Sequence, residues 1–138
     1  VEEAFAELER LPEELQSLPA VQAVRLDCLM FAKDWNSAVK LAQVLCGQWA
    51  EEPGLWLHHA YAARRCAGGS IEAAYELLAP CVERFPEEWL IPYNVACYLC
   101  QMERLDEARA MLEMARAKGG ERVDAMAKDD EDLAPLNL

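Results

Sequence analysis

The sequence contains no apolar run approaching the ~18 residues that cross a membrane, so we expect no membrane-spanning segment. It also lacks a glycine-rich phosphate loop, a nucleophile elbow and a metalloprotease motif. The pairs Glu51-Glu52 and Glu87-Glu88 could be imagined as acid/base groups. Both lie beside a proline at the start of a predicted helix, where carboxylates interact favourably with the helix dipole. We therefore expect no catalytic site and no cofactor.

Basic residues are scarce, with 13 Lys and Arg against 25 Asp and Glu, and the net charge is −12. The acids are concentrated at the ends: residues 1–18 carry six acids and one base, and residues 119–138 carry six acids and two bases. Nucleic-acid binding requires clustered Lys and Arg for phosphate contacts, so we expect no nucleic-acid partner. Basic partners are favoured only weakly.

Motifs typical of metal or thiol chemistry are also incomplete. The chain has six cysteines, and they fall on the apolar faces of predicted helices, as reduced thiols do when they serve as small hydrophobes. This pattern favours a cytoplasmic protein. Cys97-x-x-Cys100 lies in the middle of a predicted helix, away from the helix N-terminus that would activate a thiol. The adjacent His58 and His59 point in different directions, so we expect no metal site. A thiol- or metal-binding protein centred on Cys66, Cys97 and Cys100 remains the alternative.

The apolar spacing over residues 93–119 predicts two antiparallel helices joined by a tight turn. Small or apolar residues recur every three or four positions: Val95, Ala96, Leu99 and Cys100 in the first helix, and Leu105, Ala108, Met111, Leu112 and Ala115 in the second. Small side chains at the contact allow the helix axes to approach to about 8–10 Å. Gly119-Gly120 marks the end of the second helix.

The same pattern occurs 34 residues earlier, where Ala74 and Leu78 correspond to Ala108 and Leu112. A fixed interval in this range is the signature of a helical solenoid. The motif Ala-x-x-x-Leu at these positions, closed by Pro86 in the earlier copy, resembles the A-x-x-x-F and P elements of the tetratricopeptide repeat (TPR). The resemblance covers roughly residues 55–120, and a looser copy precedes it.

The resemblance implies an all-α fold, a TPR-type right-handed superhelix of about three antiparallel helical hairpins with short helical caps. We expect a single TPR-like domain over residues 1–138. Its segments are an N-terminal cap helix (1–18), a divergent repeat (19–53), two repeats (54–87 and 88–120) and a C-terminal capping segment (121–138). Asp34 and Ser70 are expected helix N-caps, and one helix is predicted from Ile71 to Arg84. The leucines of the acidic tail either pack back onto the last hairpin or leave it uncovered.

In TPR proteins the first helix of each hairpin lines a concave groove. The resemblance therefore implies groove positions at Trp56, His59, Ala63, Cys66, Tyr93, Asn94, Cys97 and Gln101, with Asp27 and Phe31 added by the first repeat. Trp56 and Tyr93 are expected to carry most of the binding energy. Asn94 matches a position used by TPR domains that capture C-terminal carboxylates. Of the positions that would flank it with basic residues in such a clamp, only Lys128 is basic, so we expect no clamp and expect Asn94 to hydrogen-bond within the array.

The function predicted from the sequence is a non-catalytic scaffold that binds a peptide or helix of a partner protein in this groove. In the alternative interpretation the capping segments fill the groove and its aromatic residues belong to the core. A further alternative is a self-associating structural module that stacks through an incompletely capped repeat end.

Overall fold

The structure is a computed structural model that describes residues 1–138, and all of its regular elements are helices. Along the chain these are α1 (Glu2–Glu9), α2 (Glu13–Gln16), α3 (Pro19–Phe31), α4 (Trp35–Gln48), α5 (Pro53–Arg65), α6 (Ile71–Leu78), α7 (Cys81–Arg84), α8 (Leu90–Gln101), α9 (Leu105–Gly119), α10 (Glu121–Lys128) and the 3₁₀-helix η1 (Glu131–Leu136). The predicted all-α class is confirmed. None of these helices combines the length and the apolarity needed to span a bilayer.

The chain forms two compact units, Val1–Gly68 and Gly69–Leu138, which we call unit 1 and unit 2. The boundary falls at the Gly68-Gly69 pair, inside the segment 54–87 that the sequence predicts as one repeat. In unit 1 the closest packing is between α4 and α5, and α3 forms a hairpin with α4; in unit 2 the closest packing is within the α8–α9 hairpin.

Unit 1 is built around α4, which packs against α3 and α5. Its fully buried core consists of Leu26, Ala38, Ala42, Leu45 and Ala62, each at most 1% exposed. Three of these five are alanines, and small side chains let helix axes approach closely. Partly buried leucines and tryptophans surround this core.

Unit 2 is built around α8, in which every residue from Ile91 to Cys100 except Asn94 is buried. The helices α6 and α9 and the 3₁₀-helix η1 all pack against it. Ala108 of α9 is fully buried at 0% exposure. A helix that is apolar on all sides is stable only when it is covered on all sides, and α8 meets this condition.

Local sequence signals explain most helix ends. Asp34 and Ser70 are N-caps as predicted, because their side chains accept hydrogen bonds from the backbone N–H groups of Ser37 and Ala73. The prediction of a single helix over 71–84 was wrong: the structure divides it at Pro80 into α6 and α7. Proline has no N–H to donate, and its ring clashes with the carbonyl four residues earlier.

The turns of the two hairpins have the same construction. Lys33 and Glu103, which lie 70 residues apart, both adopt left-handed backbone conformations, with φ values of 58° and 61°. In each turn two backbone N–H groups donate hydrogen bonds to carbonyls of the preceding helix. In the first turn Lys33 donates to Met30 and Asp34 donates to Leu29. In the second turn Glu103 donates to Cys100 and Arg104 donates to Leu99. This is the Schellman motif. The turn between α5 and α6 is longer and uses Gly68 at φ 74° instead.

Candidate functional site

The predicted groove residues of α5 are largely packed inside the protein. His59 and Ala63 are buried, at 8% and 6% exposure, while Trp56 and Cys66 are half-buried. The indole Nε1 of Trp56 donates a hydrogen bond to the carbonyl of Ala50 at 2.8 Å. Its ring centroid lies 6.4 Å from that of His59. This face of α5 therefore offers a partner only parts of Trp56 and Cys66.

His59 is unusual because its Nδ1 is the one buried side-chain nitrogen or oxygen that has no hydrogen-bond partner. Burial lowers the pKa of its imidazole, since the charged form would lose its hydration. His59 is therefore neutral at physiological pH, and it behaves as a core residue.

The predicted groove residues of α8 contact the C-terminal segment of the chain. The Tyr93 hydroxyl donates a hydrogen bond to Asp130 Oδ2 at 2.7 Å, and Cys97 Sγ donates to the same oxygen at 3.7 Å. The Gln101 amide donates to the carbonyl of Asp132 at 3.0 Å. Tyr93 is only 1% exposed as a result of this packing. A partner can reach this face only if the C-terminal segment moves away.

Asn94 lies outside this contact. Its amide nitrogen donates to the carbonyl of Leu90 at 2.8 Å, one turn earlier in the same helix. This bond satisfies the amide donor within α8, as the sequence predicts.

The C-terminal segment is anchored by leucines as well as by hydrogen bonds. Leu133 and Leu136 of η1 are 1% and 4% exposed. The Asp130 side chain also caps η1 by accepting a hydrogen bond from the N–H of Asp132 at 3.0 Å. The tail thus packs back onto the α8–α9 hairpin, which was one of the two alternatives left open by the sequence.

One group of side chains has the composition of a metal site. Cys97 Sγ and one carboxylate oxygen each from Asp130 and Asp132 lie within 4.8 Å of one another. Burial raises the pKa of the Cys97 thiol, and the Asp130 carboxylate raises it further. The thiol is therefore protonated at neutral pH and hydrogen-bonded to Asp130. Cys100, although buried, is not a member of this trio, and Cys66 belongs to unit 1.

Unit 1 contains an open cavity of about 410 Å³ between α3, the end of α4 and the start of α5. Its walls are mainly apolar and include Leu26, Leu45, Trp49 and Leu55, while its polar edge carries Asp27, Glu52 and His58. His58 Nε2 lies 3.2 Å from Asp27 Oδ1.

The sequence predicted Asp27 as a groove residue but missed Leu55 and His58. It assigned Trp56 and His59 to the groove instead, one position further along α5. One residue in an α-helix corresponds to a rotation of about 100°, so the predicted groove residues and the cavity residues lie on different faces of α5. The interval of three between Leu55 and His58 does not single out this pair, because Trp56 and His59 have the same interval.

No family model, curated protein or solved structure matches this chain. Function must therefore be inferred from the geometry of its own surfaces.

Proposed function

We propose that this protein is a non-catalytic helical-repeat scaffold of the TPR type that binds a peptide or helix of a partner protein. The observation that carries the proposal is the open apolar cavity of unit 1. Two hairpins with the same Schellman turn, separated by about twice the 34-residue TPR period, support the repeat architecture.

The cavity has the properties of a site for one apolar anchor residue. Its volume of about 410 Å³ falls within the range of known ligand pockets. Three helices supply its walls, so the binding surface is formed before the partner arrives and little ordering entropy is lost on binding. Interface energy is usually concentrated in such anchors, most often Trp, Tyr or Arg side chains.

Charges at the edge of the cavity specify the partner further. Asp27 and Glu52 are both exposed there, the lining residues include no Lys or Arg, and the imidazole of His58 lies against Asp27. The whole chain has a net charge of −12. We therefore expect the partner segment to carry a bulky apolar residue next to Lys or Arg.

The test uses short synthetic peptides with a central Trp, Phe or Leu beside Lys or Arg, measured by fluorescence anisotropy. Ala23 is exposed and lines the cavity, so Ala23→Trp fills the cavity without removing any core side chain. We expect this variant to weaken binding at least about tenfold. Ala125→Trp adds the same ring to an exposed position of α10 and serves as the matched control. The proposal would be rejected if Ala23→Trp and Ala125→Trp bind the peptides with equal affinity, or if none of the peptides binds the native chain.

Metal binding is a second candidate function, favoured only by the trio of Cys97, Asp130 and Asp132. Cobalt titration tests it, because a thiolate ligand produces an intense charge-transfer absorption band. If the trio binds metal, this band appears with the native protein and is lost in Cys97→Ser. Absence of the band in the native protein would leave the trio as a hydrogen-bonded anchor for the C-terminal segment.

A further inference from the structure

Phe31 is the most exposed large hydrophobic residue of the protein, at 78% exposure. It is the last residue of α3, and the Schellman turn that follows it holds the helix end in a defined position. A phenyl ring in water is a common anchor in protein interfaces. Its neighbours therefore indicate what kind of partner could cover it.

Arg65 is held beside Phe31 by two aromatic rings. Its guanidinium carbon lies 3.4 Å from the ring centroid of Tyr61 and 5.7 Å from that of Trp35. Its Nη1 also donates a hydrogen bond to the carbonyl of Tyr61 at 3.1 Å. A guanidinium has five N–H donors, so most remain available while the stacking fixes their plane. Such an ordered fork suits a carboxylate.

Phe31 and Arg65 belong to a recess of about 760 Å³ lined by six residues only: Met30, Phe31, Lys33, Trp35, Tyr61 and Arg65. We call it the aromatic–cation surface. Two of its residues are cations and none is an acid, although the chain as a whole is strongly acidic. Lys33 and Arg65 form no salt bridge. The neighbouring Asp34 is occupied as the N-cap of α4, bonded to the N–H of Ser37 at 3.2 Å.

Unit 2 shows how the chain covers the corresponding helix end. Gln101 is the last residue of α8 and precedes the equivalent Schellman turn, 70 positions after Phe31. Its side chain binds the backbone of η1, a segment that combines carboxylates with the buried leucines Leu133 and Leu136. In unit 1 the equivalent helix end leaves Phe31 exposed.

We propose that the aromatic–cation surface binds an acidic segment of a partner protein in which an aliphatic residue lies next to the carboxylates. The guanidinium of Arg65 donates two hydrogen bonds to one carboxylate in a bidentate geometry, and the ammonium of Lys33 attracts a second carboxylate. The aliphatic side chain covers the rings of Phe31 and Trp35. This surface is distinct from the cavity beside Asp27, and it selects a partner segment of the opposite charge.

The probe for this proposal is a fluorescein-labelled synthetic peptide with the sequence of Asp129–Leu136, which has the required acidic and aliphatic character. We expect it to bind the full chain in anisotropy titrations, more weakly as salt is added, because charges dominate recognition. A peptide with Asn and Gln in place of Asp and Glu should not bind.

Three variants locate the site. Phe31→Ala and Arg65→Gln should each weaken peptide binding at least about tenfold. Arg65→Lys keeps the charge but lacks the planar guanidinium, so its peptide affinity should be close to that of Arg65→Gln. Lys40→Gln, at an exposed position of α4, is the charge-matched control and should bind like the native chain. Circular dichroism verifies that each variant is folded.

Two results would overturn the proposal. One is the absence of binding by the native chain at about 1 mM peptide, where even weak recognition is measurable. The other is unchanged affinity in Phe31→Ala and Arg65→Gln, which would place the peptide elsewhere, for example in exchange with the chain's own tail. Ala23→Trp should leave binding of the acidic peptide intact. The proposal for the cavity and the proposal for the aromatic–cation surface can therefore be rejected independently.

Discussion

The C-terminal segment should contribute measurably to stability, and Leu133→Ala is the sharpest probe of this. Leu133 is 1% exposed, so its replacement removes buried methyl groups and leaves a cavity beside α8. Buried Leu→Ala changes cost about 2–5 kcal/mol, and a chain end can partly relax, so we expect a loss of about 2–3 kcal/mol. Tyr93→Phe removes the 2.7 Å hydrogen bond to Asp130 and should cost about 1.5–3 kcal/mol, because the acceptor is charged.

Urea unfolding followed by circular dichroism gives these free energies, and hydrogen exchange of the amides after Asp130 reports release of the segment itself. The matched control is Leu138→Ala, since Leu138 is 65% exposed and its truncation should change stability by no more than about 0.5 kcal/mol. If Leu133→Ala and Leu138→Ala are equally stable, the segment is not anchored and Tyr93 is open to partners.

Three further predictions concern packing, protonation and thiol reactivity. Gly119→Ala should lower the unfolding free energy by about 1–3 kcal/mol, because a Cβ there would lie 2.6 Å from a valine methyl carbon. Gly47→Ala, which has open space around it, should raise the same quantity by about 0.4–1 kcal/mol; urea unfolding checks both signs. Burial lowers the pKa of His59, so below its ordinary pKa of 6.5 the unfolded chain binds a proton that the folded chain excludes. Stability should therefore fall as the pH drops below about 6.5, by at most about 1.4 kcal/mol per pH unit from this residue. His59→Leu should reduce that slope in urea melts; identical slopes in the native chain and in His59→Leu would contradict the assignment. Iodoacetamide should modify Cys97 more slowly than the two half-buried cysteines, because burial and a nearby carboxylate raise its thiol pKa, and equal rates by peptide mass spectrometry would argue against this environment.

Much of the local structure could be predicted because its causes are local. The caps at Asp34 and Ser70 depend on residues within three positions, and both are present. Pro92 lies in the first turn of α8, where its missing N–H has no cost. The break at Pro80 has an equally local cause, so the sequence carried the signal although the predicted helix ran through it.

The candidate sites were harder to predict because a helix face is selected by small differences in register. Residues Leu55 and His58, and not Trp56 and His59, line the cavity of unit 1. Nothing within α5 distinguishes these two faces, since both carry an apolar residue and a histidine. The distinction comes from Leu26 and Leu45, which lie on other helices and form the opposite walls.

The sequence by itself determined the helical class, most helix ends and the alanine positions where helices approach each other, because these depend on spacing and on capping within a few residues. Only the tertiary structure decided which of those helical residues meet solvent. Tyr93 is buried because a segment 37 residues later folds over it, whereas Phe31, at the equivalent end of the other hairpin, is left exposed. Whether a side chain is buried depends on the residues that pack over it, and for Tyr93 those residues are far away in the sequence.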